Sequence, residues 1–350
     1  MVLVPISHRL LAVGVAAMWG LNFIAIHASL EHFPPLFLVA LRFALIAVPT
    51  LVLVPRPNVE LRWLLGYGIG FGTLQFLFLY WGMAAGMPAG LGSLVLQASA
   101  PFTVLIGVVL GRDRLTRRRV AGILVAVAGL ALVGWQRADS AALLPFLLVL
   151  AGAFGWAIGN VCNARAQAPN PLHFTLWMSV VPVLPMLALA LIFEGPHRIG
   201  DSLAGITQPE AQPALWGLAY TILIGTVAGS GVWSWLMARH PAGVVAPFSM
   251  LVPVVGMSAA WILLGESVSA GELIGAGLVV GGVLLGSRGA RRSPAPWISS
   301  RRGTPDSASR VEAGLGAGFG VRGAPSTACH ETPGSRAGAS DRRPREELRR

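Results

Sequence analysis

The stretch GMPAGLGSLVLQASAPFT, Gly86 to Thr103, is written a second time in large part as HPAGVVAPFSMLVPVV, His240 to Val255. In both copies Pro-Ala-Gly opens an apolar segment (Pro88 to Gly90, Pro241 to Gly243), and a second proline, Pro101 or Pro253, interrupts it further on. The chain therefore reads as a duplication. Proline inside a helix removes one backbone hydrogen bond and clashes with the carbonyl four residues back, so Pro101 and Pro253 are expected hinge or kink positions. One turn before each proline, on the same helical face, stand Gln97 and Ser249. They read as equivalent positions at the centre of the molecule.

Around that stretch, 54% of the 350 residues are hydrophobic and 12% charged, with mean hydropathy +0.67. This balance excludes an ordinary soluble domain and points to a membrane protein. Hydropathy places ten spans: 10–30, 34–54, 62–84, 89–110, 118–134, 143–163, 171–193, 214–238, 243–264 and 271–287. The first has no cleavage site and is followed by another span, so it reads as a retained helix and not a signal peptide. With a cytoplasmic N-terminus, the inside segments carry 13 arginines against only Arg137 and Arg198 outside. That asymmetry sets the orientation, and an even number of spans returns the C-terminus to the cytoplasm.

Ten spans with a repeat after five make the second half enter the membrane from the side opposite to the first. The expected fold is an all-α polytopic membrane protein of ten transmembrane helices in two inverted five-helix repeats, 8–135 and 143–287. Inverted like halves can exchange conformations and open one midplane site to either side, the construction of a secondary transporter. Trp19 and Asn22 in the first span recur as Trp156 and Asn160 in the sixth. Glycines Gly66, Gly68, Gly70 and Gly72, with Gly275, Gly277, Gly281 and Gly282, are suited to close helix contacts.

The tail, 288–350, is rich in Gly, Pro, Ser and Arg without periodicity and reads as a disordered basic segment. It holds 13 of the 26 arginines in a chain without lysine. Lacking interleaved aromatics or a binding motif, it points to anionic lipid or plain solvation and not to nucleic acid. Cys162 and Cys329 form no disulfide framework; Cys162 reads as a small packing residue.

The motifs WGLNF (19–23), PPLFLVALRF (34–43), GYG (66–68), GMPAGLGSLVLQ (86–97), FT (102–103), GWAIGN (155–160), GVW (231–233) and APFSMLVPVVG (246–256) carry a resemblance. The chain resembles ten-helix drug/metabolite transporters of the EamA type, most of all their O-acetylserine/cysteine exporters, over roughly residues 9–287. The resemblance implies efflux of small amino-acid metabolites across the bacterial inner membrane. The family's Gly-Glu at the end of the fourth span stands here as Arg112-Asp113, whereas the second copy keeps Gly265-Glu266.

Polar residues inside spans are tolerated mainly where they face a cavity or a partner. They share helical faces: Ser93, Gln97 and Pro101 on the fourth span; Trp156, Asn160 and Asn163 on the sixth; Thr226, Ser230, Trp233 and Ser234 on the eighth. From these faces, with Asn22 on the first span, Gln75 and Tyr80 on the third and Ser249 on the ninth, the expected substrate-binding set is Asn22, Gln75, Tyr80, Ser93, Gln97, Trp156, Asn160, Trp233 and Ser249. Amides and hydroxyls can bind both ends of a zwitterionic amino acid without a fixed counter-charge. Each can instead act as interhelical glue, and Trp156 and Trp233 can be packing aromatics.

Arg42 lies about eight residues into the second span, within reach of snorkelling to the outer interface. That makes it an anchor or a structural partner; substrate-carboxylate binding is the other reading. His27 has an intrinsic pKa suited to a proton relay, yet Glu31 and His32 beside it mark the membrane edge and favour an interface histidine. All nine acids outside the tail fall in loops or span ends. No carboxylate is thus expected at the midplane for ion coupling, and no metal cluster, P-loop, cofactor site or catalytic triad is discernible. The partners expected are a small-molecule substrate and membrane lipid. Carriers of sugar phosphates, which need several midplane cations, or of hydrophobic cations and drugs remain alternatives.

Overall fold

Lipid offers the backbone no hydrogen-bond partner, so a chain this apolar must satisfy its amides within helices. The computed structural model describes residues 5–111, 116–139, 143–240 and 242–287, and all regular structure among them is helical. Arg112, Asp113, Pro241 and the basic tail with Cys329 lie outside the described residues.

The spans run Ile6–Leu30, Pro35–Leu53, Leu61–Ala84, Ala89–Val109, Arg117–Gln136, Leu143–Ala166, Pro171–Phe193, Pro209–Arg239 and Ala246–Leu264, and among the described residues these nine are long and apolar enough to cross a membrane. The tenth, Ala270–Gly286, is apolar but shorter. Each predicted span is thus found within a few residues.

Four spans are interrupted in matching pairs, and the seventh breaks alone into Pro171–Met178 and Val183–Phe193. The third and eighth each contain an eight-residue π-helical segment, Gly68–Gln75 and Thr221–Ala228. In both, a threonine closes onto the carbonyl five residues back: Thr73 Oγ1 donates to Gly68 at 3.3 Å and Thr226 Oγ1 to Thr221 at 2.9 Å. The fourth and ninth tighten to 3₁₀ geometry at Leu96–Ala98 and Ala246–Met250, each just ahead of its proline. Such defects loosen the backbone ladder locally and recur at functional positions.

The packing is reciprocal between the two halves. The first span lies against the eighth and ninth, and the sixth against the third and fourth; second packs on seventh, fourth on ninth and fifth on tenth. Exchanging the halves of the chain maps this set of neighbours onto itself. Close approach depends on absent side chains at many helix crossings: a Cβ on Gly159 would lie 2.6 Å from the Phe71 Cβ, and one on Gly282 2.5 Å from the Ala126 nitrogen. Gly277 and Gly281, by contrast, have open space where a Cβ would stand. Cys162 packs its sulfur against Gly66, as a small core residue does.

The span ends are tied across the molecule. Gly265 takes a left-handed φ of 67° that an L side chain resists, which ends the ninth span and turns Glu266 back. The Glu266 carboxylate accepts from the amides of Ala89 at 2.7 Å and Gly90 at 3.1 Å, the otherwise unsatisfied start of the fourth span. Glu194, after the seventh span, caps the second in the same way through Leu36 and Phe37, at 2.6 and 2.9 Å. Ser269 and Glu272 form a reciprocal capping box at the start of the tenth.

Candidate functional site

The interior polar groups gather where the interrupted helices meet. Gln97, buried in the 3₁₀ turn of the fourth span, donates through Nε2 to the backbone oxygen of Ser249 at 3.2 Å. The two residues that the duplication aligns are therefore direct partners. The Ser249 hydroxyl turns to its own helix, donating to Ala246. Ser93, only 1% exposed, donates to Gly90, and its oxygen would lie 2.6 Å from a Cβ on Gly256. It seals the contact between fourth and ninth spans. Pro101 and Pro253 are buried behind this contact. An apolar crevice of about 140 Å³ lies beside Pro101 between the fourth, fifth and tenth spans, and touches none of the polar residues singled out above.

The first and sixth spans each place a tryptophan on the π segment of the opposite half. Trp19 donates from Nε1 to the Gly225 carbonyl at 2.9 Å and its ring lies 5.1 Å from that of Trp233. Trp156 meets Phe71 edge-on at 6.1 Å. Asn160 donates to the Thr103 hydroxyl at 3.3 Å, joining sixth and fourth spans, while Asn163 on the same predicted face is exposed and stands apart. Asn22 lies against Gly225, where a Cβ would meet its Oδ1 at 2.7 Å.

Arg42 does not snorkel. It is 4% exposed, donates from Nη1 to the Tyr80 hydroxyl at 3.0 Å and from Nη2 to Thr226 Oγ1 at 2.9 Å, and lies 4.1 Å from the centre of the Phe76 ring. Snorkelling would have required an open path to the outer interface; Tyr80, Phe76 and the eighth span occupy the space around the guanidinium instead. Arginine keeps its charge when buried, and among the described residues no carboxylate pairs with it. An uncompensated buried charge costs several kcal/mol even after relaxation, on the order of 3–5 where one partner of a pair is absent. Hydroxyl dipoles and aromatic faces offset part of that.

Buried hydrogen-bonding capacity is left unmet on the first, second, third and eighth spans. Arg42 Nε, Asn22 Oδ1, Gln75 Oε1 and Thr221 Oγ1 are buried without a partner. Asn22 abuts Gly225, the neighbour in sequence of Thr226; Gln75 precedes Phe76, on whose ring Arg42 rests. His27, in contrast, is 43% exposed and 3.7 Å from Glu31, an edge pair.

Two features escaped the sequence reading. Thr73 and Thr226 anchor equivalent π segments, a signal available by carrying the Gln97–Ser249 alignment one span back. The Arg42–Thr226 bond, across 184 positions, left no local signal.

Together these features define a polytopic all-helical membrane protein with buried polar contacts between its spans, the class in which carriers of small solutes fall. The EamA-like transporter family matches residues 7–135 and 143–288. A protein of Salmonella typhimurium named "Probable amino-acid metabolite efflux pump" is 40% identical over 287 residues, 80% of this chain and 95% of that protein. An Escherichia coli K12 protein of the same name is 37% identical over 296 residues, 83% of this chain and 98% of that one. A solved crystal structure at 21% identity covers 83% of this chain and 99% of its own, with a TM-score of 0.55, a likeness of fold alone. The chain belongs to the EamA-like transporter family.

Proposed function

We propose that this transporter exports small amino-acid metabolites across the bacterial inner membrane by alternating access. Its repeats, 8–135 and 143–287, are read as inverted, both termini as cytoplasmic, and no catalytic step is involved. The observation that carries the mechanism is the Gln97–Ser249 contact, because it joins equivalent points of the two halves, each in a 3₁₀ turn just ahead of a proline. Irregular helix ahead of a proline leaves a backbone carbonyl without its usual donor, free to meet a ligand, and like halves that meet there can rock about it. The names of the two relatives support the substrate class. Asn22, Gln75, Tyr80, Ser93, Gln97, Trp156, Asn160, Trp233 and Ser249 line the substrate path in this reading, with Ser93 and Gly256 separating as it opens.

Counterflow in proteoliposomes tests it. Vesicles loaded with unlabelled amino acid should accumulate the labelled form above equilibrium. Accumulation of labelled sugar phosphate or of an aromatic cation, with none of any amino acid, would sink the proposal.

A further inference from the structure

We infer that Arg42 is the carboxylate-recognition point of the substrate site, and that the orphan oxygens of Asn22 and Gln75 receive the substrate's ammonium group. The inference rests on the amino-acid reading above and adds which atoms recognise which end.

The guanidinium presents parallel N–H bonds from Nε and Nη2 along one edge, the geometry that takes a carboxylate side-on. Nε is buried without a partner, and Nη2 holds only the Thr226 hydroxyl. The opposite side is filled, since Nη1 donates to Tyr80 and the face lies on Phe76. One edge of a buried cation thus lacks an acceptor, within a protein whose described residues offer it no carboxylate. A carboxylate there supplies both the missing charge and the missing acceptor.

The complementary half of a zwitterion needs acceptors, which the first and third spans supply. Asn22 Oδ1 and Gln75 Oε1 are buried and unpartnered, and a neutral amide oxygen accepts from an ammonium without demanding a counter-charge. An ammonium is repelled by Arg42 and a carboxylate by the amide oxygens, so the arrangement orients the ligand. Thr226 belongs to the eighth span and Arg42 to the second, so a ligand on this edge touches both halves of the chain at once.

The full chain in proteoliposomes is assayed by counterflow of labelled L-amino acids, each competed by its unlabelled form, its carboxamide and its N-acetyl derivative. The carboxamide should compete about 30-fold or more weakly than the acid, the loss that follows when a buried charge loses its partner. The N-acetyl form, which keeps the carboxylate, should lose less. Arg42→Lys, which keeps the charge but not the fork, should weaken the acid and narrow its advantage over the amide. The carboxamide arm uses the unmodified protein, so it decides even where a variant fails to fold. Equal competition by acid and carboxamide overturns the Arg42 assignment while leaving amino-acid transport standing, as does an undiminished acid preference in folded Arg42→Lys. Absence of exchange for every amino acid by folded protein overturns both.

Discussion

Gln97 concentrates the residue-scale question of ligand contact against glue. Its amide donates to the Ser249 oxygen in this state, and Pro101, four residues on, has no N–H to offer the Gln97 carbonyl. Replacing Gln97 by Leu keeps much of the volume and removes the amide. Affinity for the transported amino acid should fall by the ~1 to 3 kcal/mol of unpaired polar groups, about 5- to 150-fold, with insertion intact. Equilibrium binding and thermal unfolding in detergent are measured together: unchanged affinity with a lowered Tm means that Gln97 only holds the fourth and ninth spans. The polar set was legible in sequence because amides in an apolar run stand out. What they touch was not, since Asn160 reaches Thr103 and Trp19 reaches Gly225 by packing between distant spans. For Arg42 the structural-partner reading holds through Tyr80 and Thr226, and only snorkelling fails, because depth counted along a helix ignores which neighbour stands beside it.

Elements here are finished by residues from elsewhere in the chain, which is why hydropathy located the helices but not their caps. Glu266→Gln loses one carboxylate acceptor and the charge facing the start of the fourth span, and should lower stability by about 0.5–2 kcal/mol, the usual worth of a helix N-cap, read as a lower Tm. Glu194 adds a pH dependence. Its half-burial pushes the carboxyl above its ordinary 4.5, outweighing the lowering pull of the Leu36 and Phe37 amides and of Arg198. A raised native pKa means the folded state holds the proton more tightly. The associated stability is full below 4.5 and is lost as pH rises through the raised native value. Tm followed against pH should therefore fall in wild type relative to Glu194→Gln across the interval just above 4.5; parallel curves would remove the argument. Helix contacts give a sharper pair. A methyl added at Gly159 would press on the Phe71 backbone nitrogen at 2.8 Å, whereas Gly277 has nothing within 4 Å. Gly159→Ala should cost about 1–3 kcal/mol by overpacking, and Gly277→Ala should be neutral or slightly stabilising. From sequence only Gly277 of the two is picked out for close contact, the reverse of what the packing shows. The π segments were equally hidden, because Gly68–Gln75 and Thr221–Ala228 keep the hydropathy of ordinary helix.

At the scale of the whole molecule, the contacts between span ends carry a topology. A chain that crosses a membrane at every span has the start of span n and the end of span m on the same side only when n and m differ in parity. Four long-range contacts meet this condition. His8, at the start of the first span, hydrogen-bonds His240 at the end of the eighth; Pro35–Leu53 is capped at its start by Glu194 from the end of the seventh; Ala89, opening the fourth, is capped by Glu266 after the ninth; and His32, ahead of the second, meets the Ser202 carbonyl after the seventh. A missed or extra crossing between any of these pairs would set their partners on opposite faces of the membrane, about 30 Å apart. Positive-inside counting supplies which face is which. In the orientation proposed above, the His8–His240 end is cytoplasmic, and the end holding Glu194, Ser202 and Glu266 is outside. Reporter tags at the N-terminus and at residue 290 should therefore read cytoplasm, and a tag at the exposed Gln208, in the segment after the helix Gly195–Ala204, should read the external side. A cytoplasmic signal from Gln208 alongside cytoplasmic termini would break the alternation between the seventh and eighth spans. The two halves would then enter from the same side, and the exchange of conformations between inverted repeats would lose its basis.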